Sequence, residues 1–293
     1  MPKFLFLFIL SFSFAQTVSD YAYTHAKVAA MAGAVVSESG NNWSIFHNPA
    51  GITEVDGIHL SAGSGNLFGF KWLPTYNLGG TAPLPVIGKI GFAFQQLETK
   101  YSGKTLSKEQ TLSLAQGFDI QHDKNSRLAI GYTANFVQWD LGRSAGVSGD
   151  GSDGLELGSI NSITIDFGVL ASLREKYRFG VMLKNINSGA LGKGMARQVL
   201  PRRINVGITY MPMKGLATSI VSEHLLGRDD MQIKAAIRYN LNSNLEIYVG
   251  AQSNPNRFGM GATFTLKQQS VSYGLLTHPV LPMTHQFNLG LSL

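Results

Sequence analysis

The ten residues from Thr284 to Leu293 alternate without a fault. His285, Phe287, Leu289, Leu291 and Leu293 fall on one side of an extended chain, and Thr284, Gln286, Asn288, Gly290 and Ser292 on the other. Such a strand has one greasy face and one wet face. The pattern recurs along most of the chain, behind an export segment. Lys3 supplies a positive charge, and Phe4 to Phe12 form an apolar run too short to span a bilayer as a helix. Ser13-Phe14-Ala15 is a small-x-small cleavage site that leaves Gln16 first in the mature protein. Alternating strands in an exported chain predict an all-β fold, a transmembrane antiparallel β-barrel. Residues 1–15 are then a signal peptide, and the cell outer membrane is the destination.

Composition agrees. With 33 Gly, 44% hydrophobic residues and only 14% charged residues, the chain has too few charges for a typical soluble protein and is too polar for a helical membrane bundle. No segment after the signal offers about 18 consecutive apolar residues. There is no Cys, so disulfides, thiolate metal sites and a Cys nucleophile are excluded. The net charge of +6 is scattered over strand ends and turns, which argues against a nucleic-acid partner.

About fourteen strands are expected, within a range of roughly twelve to sixteen. The clearest are Arg127 to Gln138, with Leu128, Ile130, Tyr132, Ala134 and Phe136 outward, and Ser162 to Leu173, with Ile163, Ile165, Phe167 and Val169 outward. Then come Tyr177 to Asn185, Arg203 to Met211, Gln232 to Leu241, Leu245 to Gln252, Arg257 to Leu266 and Gln269 to Thr277. Fainter alternation marks Val55 to Gly63, Leu67 to Leu73, Gly88 to Glu98, Leu106 to Asp119 and Leu216 to His224, and the terminal strand completes the set. Outer-membrane barrels have short periplasmic turns and longer outer loops. If the first strand rises from the periplasm, the short connections 120–125, 174–176, 212–215, 242–244 and 267–268 all lie inside. The long ones, 139–161 and 186–202, lie outside. Pro74 to Ile87, rich in Gly and Pro, breaks the rule as a long inner connection, and so conceals a miscounted strand or an inward-folded piece. Tyr132, Trp139, Tyr177, Tyr210, Tyr239 and Tyr273, on outward parities or strand ends, suit interfacial girdles.

Residues 16–54 precede the barrel domain, 55–293, and read differently. Thr24 to Val36 is rich in Ala and Gly and suits a short, tightly packed helix, followed by a polar turn at Ser37 to Asn42. Non-strand backbone of this size belongs in the lumen, where polar neighbours can satisfy it, as a helical and looped plug. In Asn48-Pro49-Ala50-Gly51, Pro49 sets one φ, Gly51 allows a positive φ, and Asn48 can satisfy freed backbone groups.

The run Ala29-Ala30-Met31-Ala32-Gly33-Ala34, followed by Trp43-Ser44-Ile45-Phe46-His47-Asn48-Pro49-Ala50-Gly51, resembles the N-terminal signature of the FadL-like outer-membrane barrels, most of all their PorV/PorQ branch. The likeness continues at Gly180 to Asn187, Leu200-Pro201, Ile204 to Tyr210, His278, Leu281, Thr284-His285 and the terminal strand. It implies a monomeric barrel of about fourteen strands with an N-terminal hatch. For the FadL type it implies uptake of hydrophobic or amphipathic small molecules, which pass a binding pocket and leave sideways through a gap in the wall. For the PorV type it implies an accessory role with secretion-system proteins of type IX export. Outer-membrane lipid and the barrel-assembly machinery are implied partners of either. A soluble exported β-sandwich adhesin is a third reading; it would bury the outward parities in a core.

No catalytic set, cofactor site or metal site is assigned. The seven His show no helical ligand spacing. Gly149-Asp150-Gly151-Ser152-Asp153-Gly154 makes Asp150 and Asp153 weak calcium candidates, but it lacks the later Glu of the EF-hand pattern and reads better as a solvated turn. The lumen-facing charges Asp166, Lys184, Arg203, Lys234, Arg238 and Glu246 either brace the interior and its hatch, the preferred reading, or form a selectivity ring.

Overall fold

The computed structural model describes residues 23–293 apart from 86, 102–103, 145, 150–151, 193–196 and 228–230. The signal peptide and residues 16–22 lie outside the described residues. Fourteen antiparallel strands close into a barrel: β1 (His59–Asn66), β2 (Pro74–Leu84), β3 (Gly88–Tyr101), β4 (Lys104–His122), β5 (Ser126–Asp140), β6 (Ser159–Leu173), β7 (Tyr177–Lys184), β10 (Arg203–Met213), β11 (Leu216–Leu225), β12 (Met231–Asn240), β13 (Leu245–Gln252), β14 (Arg257–Leu266), β15 (Gln269–Leu276) and β16 (Thr284–Ser292). A two-stranded hairpin, β8 (Ala190–Leu191) with β9 (Gln198–Val199), stands apart in the connection from β7 to β10. The terminal strand closes the ring against β1, with Ala62 opposite Leu289 and Ser64 opposite Phe287. Every barrel strand places a large apolar side chain outward, from Leu60 on β1 through Leu114, Ile163 and Ile220 to Leu289. Alternate positions such as Thr133, Thr164, Ser219 and Asn288 are buried inside. A continuous apolar outer face suits lipid, and it excludes the soluble sandwich, in which those side chains would be covered.

The strand count matches the sequence expectation, but one strand is exchanged for another. Leu67 to Leu73 is no strand: a 3-10 turn at Leu67–Gly69, with left-handed Phe68 and Gly69, reverses the chain, and Phe70 stacks on Trp72. Pro74 to Leu84 is the strand instead. Its inward row is Thr75, Asn77, Gly79 and Thr81 and its outward row includes Tyr76 and Leu78, so two adjacent glycines and Pro83 blur an alternation that is present. This exchange shortens the anomalous inner connection to the three residues between Leu84 and Gly88. All turns at that end are then short, and the end faces the periplasm. The strands also reach further than expected. β3 to β6 run to 14, 19, 15 and 15 residues against 8 to 11 for the other barrel strands, and raise a tall wall on the loop side.

Residues 23–54 fill the lumen with α1 (Ala26–Ala30), α2 (Ser44–His47) and a 3-10 helix over Pro49–Glu54. α1 packs on β13 to β16, and the 3-10 helix on β3 to β6. What lets this hatch approach so closely is glycine on the inner face of the wall. Gly117, Gly131 and Gly168 sit directly opposite one another on β4, β5 and β6, as do Gly180 and Gly207, Gly250 and Gly259, and Gly261 and Gly274. A Cβ at Gly131 would stand 2.5 Å from the backbone of Pro49 and Ala50; one at Gly250 would collide with Met31, and one at Gly274 with Ala26. Hatch backbone lies on sheet backbone with no side chain between.

Gly131→Val is therefore expected to destabilise the barrel by about 1–3 kcal/mol through overpacking against a backbone that cannot rotate away. Ala134→Val, on the lipid face of the same strand, should leave stability nearly unchanged. Denaturant unfolding in detergent micelles compares the two.

Candidate functional site

Asn48 ties the hatch together and to the wall. It is fully buried; its Nδ2 donates to Val36 O at 2.7 Å and to Val169 O of β6 at 3.0 Å, while its Oδ1 accepts from the Ala50 amide at 3.2 Å and caps the 3-10 helix. Pro49 takes the first helical position, where its missing N–H costs nothing. Ala50 packs on Ala129 and Leu170. Gly51 does not adopt a positive φ as expected; it lies within the 3-10 helix, and glycine is needed there because a Cβ would stand 2.9 Å from Ser44 Oγ and 3.0 Å from Glu38 O. Tight packing, not backbone handedness, selects it.

The six lumenal charges divide into groups. Arg238 and Glu246 pair across β12 and β13 at 3.0 Å and reach the hatch: Arg238 meets Glu38 at 3.3 Å, and Glu246 meets Lys27 at 2.7 Å. Arg203 and Lys234 flank Glu223, at 2.7 and 2.8 Å. Asp166 accepts from Asn135 Nδ2 at 2.8 Å and the Asn185 amide at 2.7 Å. Lys184 has no ion-pair partner within 4.0 Å among the described residues. The sequence singled out neither the hatch partners of these charges nor Glu54, which binds Arg178 at 2.9 Å and lies 3.9 Å from Arg127 at the periplasmic mouth.

Above the hatch, inside the tall wall, lies a cavity of about 110 Å3. Phe46 forms its floor, Leu97, Val137 and Trp139 one side, and Leu191, Leu200 and Pro201 from the β7–β10 connection fold inward over it. Polar side chains make up the rest of its lining, among them Glu109, Asn135, Asp166, Lys184 and Arg203. Trp139 was expected in an interfacial girdle. β5 continues to Asp140, so its parity turns Trp139 inward, where Nε1 donates to Ser107 Oγ at 2.8 Å. No motif announced the cavity; the inward run of odd-numbered residues 135, 137 and 139 was the signal available.

At this cavity the barrel wall is thin. β6 and β7 stop pairing at Phe167 and Leu183. Above that point the edge of β6 is met by a looped segment: the Ile186 amide donates to Ile165 O, Asn187 Oδ1 accepts from the Ile165 amide, and Asn187 Nδ2 donates to Ile163 O. Asn185 and Ser188 bracket this patch in the left-handed region.

The remaining candidates do not converge. Asp150 lies outside the described residues; Asp153 accepts hydrogen bonds from the Val147 and Ser148 amides and the Ser148 hydroxyl, and the Ser148 bonds hold its carboxyl below the usual range. Its oxygens are engaged within the loop. One Gly-x-Ser-x-Gly run exists, Gly142-Arg143-Ser144-Ala145-Gly146, but it lies in the connection 141–158 between two strands, and Ser144 Oγ accepts from the Leu155 amide. A nucleophile elbow needs a strand-to-helix turn.

No family model and no curated protein matches the sequence. Solved structures do share the fold. The CymD monoaromatic hydrocarbon channel superposes with a TM-score of 0.64 at 10% identity, covering 94% of this chain and 99% of that one. The Ralstonia pickettii toluene transporter TbuX gives 0.61 at 10% identity, over 92% and 97%. A Pseudomonas aeruginosa FadL homologue gives 0.52 at 11%, over 91% and 97%. The fold is that of the FadL-like outer-membrane barrels; the PorV/PorQ branch gains no support from these structures.

Two predictions follow from the hatch. Asn48→Ala removes a cap and two donors to buried carbonyls, and should lower stability by roughly 1–3 kcal/mol in calorimetry. In the docked hatch His25 stacks on Trp43, and burial, then Lys27, pulls its imidazole down to about 3; burial, then Lys184 and Lys234, holds His47 well below its usual range. An undocked hatch would titrate near the ordinary histidine value of about 6.5, so between that pH and about 3 it binds protons the docked form does not. Docking should therefore weaken as pH falls through that window, read as increasing proteolytic cleavage within 23–54, and a His25→Gln/His47→Gln variant should lose most of that dependence.

Proposed function

We propose that the protein is an outer-membrane channel that binds small hydrophobic or amphipathic molecules in the cavity above Phe46 and passes them sideways into the membrane. The observation that carries this reading is the pairing of an apolar-sided cavity with a thin place in the wall, both at the top of β6. Trp139, Leu97, Val137, Leu191 and Leu200 supply the hydrophobic contact, and Asn135, Asp166 and Lys184 give the cavity polar groups that orient an amphipathic guest.

Size sets the class of guest. An apolar cavity of about 150 Å3 takes up benzene, so about 110 Å3 suits a molecule of single-ring size and not an extended acyl chain without rearrangement. Two of the structures that share the fold are a toluene transporter and a monoaromatic hydrocarbon channel, which supports the same scale. The segment Asn185 to Ser188 stands between cavity and lipid. Its bonds to β6 run partly through one side chain, Asn187, in place of a continuous ladder. Below the cavity the hatch blocks the direct route to the periplasm.

A Trp43→Phe/Trp72→Phe variant leaves Trp139 as the sole tryptophan, which can be excited apart from the tyrosines. Titration with a single-ring hydrocarbon is expected to change its fluorescence saturably, and Leu200→Asp should weaken binding about tenfold or more. A linear, unsaturable response in the parent variant would sink the reading.

A further inference from the structure

The charges that line the cavity above Phe46 balance. Lys184 and Arg203 are its cations, and Glu109 and Asp166 its carboxylates, among the described residues. Glu223, bonded to Arg203, and Lys234, bonded to Glu223, add one charge of each sign behind them. Asp166, Arg203, Glu223 and Lys234 are nearly inaccessible to solvent, so a guest that brought a further charge of either sign would bring it where water screens poorly. A neutral guest keeps the balance.

Asp166 and Lys184 stand where β6 and β7 part. The last paired rung is Phe167 opposite Leu183, and these two residues take the next position on each strand. Both line the cavity, yet they do not pair. Among the described residues no carboxylate lies within 4.0 Å of Lys184 Nζ, and the ammonium donates no hydrogen bond. Asp166 receives one donor on each oxygen, the Asn185 amide at 2.7 Å on Oδ1 and Asn135 Nδ2 at 2.8 Å on Oδ2. A carboxylate oxygen has two lone pairs, so each keeps one in reserve. One residue thus has protons to give and no acceptor, and its neighbour has acceptor capacity left over.

A hydroxyl group answers both. Its oxygen accepts from Lys184 Nζ, and its proton goes to Asp166. A hydrocarbon leaves the ammonium without a partner, and a site with polar groups in place for a hydroxyl disfavours the analogue that lacks one. A carboxylate would set a second negative charge beside Asp166, and an amine cation a second positive charge beside Lys184.

We propose that the guest of this cavity is a neutral single-ring molecule bearing a hydroxyl, of the phenol type, with the hydroxyl between Lys184 and Asp166 and the ring against the apolar lining of Leu97, Val137 and Trp139. The proposal rests on the reading of this cavity as a guest site, and narrows that guest from hydrophobic molecules in general to hydroxylated ones. Size permits it, because phenol replaces the methyl of toluene by a hydroxyl and occupies nearly the same space. The hydroxyl also lands beside Asn185, the first residue of the segment that stands between cavity and lipid, since that amide shares Asp166 with it.

Isothermal titration calorimetry with toluene, phenol and benzoate, on the wild type and Lys184→Met in the same detergent, tests this. Lys184→Met is expected to weaken phenol about tenfold while toluene binds at least as tightly as before, since methionine keeps the bulk and removes the donor. Retained toluene binding also shows that the variant is folded. In the wild type, benzoate is expected to bind more weakly than phenol, a comparison that does not depend on the variant. An unchanged ratio of phenol to toluene affinity in Lys184→Met, or benzoate binding as tightly as phenol, overturns the inference and leaves the guest site standing. Saturable binding of none of the three overturns both.

Discussion

The structure depends on contact between two backbones. A barrel lumen lined by ordinary side chains would hold a plug at arm's length, joined through flexible tips. Here cross-strand glycine pairs on β4 to β6, β7 with β10, and β13 to β15 remove that layer, and the hatch lies on the sheet itself. Each such contact needs the hatch to match it with small residues or bare backbone. That is what Ala26 to Ala34 and Pro49 to Gly51 provide. The ion pairs of Lys27, Glu38 and Glu54 with the wall and the bonds of Asn48 hold the register of this fit. Those pairs are partly to fully buried, so breaking one leaves a charge with little solvent to replace its partner.

A hatch held this way divides the lumen. The periplasmic mouth is wide, with a vestibule of about 870 Å3 around Arg127, Arg178 and Glu54, yet it ends on the packed hatch. The other half is enclosed by the extended strands β3 to β6 and by the inward-folded Leu191 and Leu200. That asymmetry places the small cavity, lined by both apolar and polar side chains, beside the place where β7 stops short of β6. On the function proposed above, a guest that leaves the hatch docked would pass the wall at the segment held by Asn187.

Much of this architecture was legible in the sequence because a membrane barrel writes one property on alternate residues. Leu128 to Phe136 and Ile163 to Val169 declared both their strand and their orientation, and the short inner turns fixed which end is which. The reading failed where side chains carried no alternation. β2 was hidden by Gly79, Gly80 and Pro83, and the turn at Phe68 passed for a strand because its residues are apolar. Asn48 stood out by its neighbours Pro49 and Gly51, but the glycines that receive it are spread over the chain from Gly117 to Gly168. Their pairing appears only once register is known. The cavity was hidden for the same reason: Phe46, Trp139, Lys184 and Leu200 meet through topology and share no local pattern.

The central claim is that the hatch is a fixed part of the wall and that a guest moves past the thin segment beside it. Amide hydrogen exchange of the protein in lipid nanodiscs, with and without a saturating single-ring hydrocarbon, tests it most directly. The account predicts that amides of α1 and of Pro49 to Glu54 are as protected as those of β5 and stay so with ligand, while exchange changes over Asn185 to Leu200. Rapid exchange throughout the hatch, or its deprotection on adding ligand, would contradict the account and make the hatch a displaceable plug.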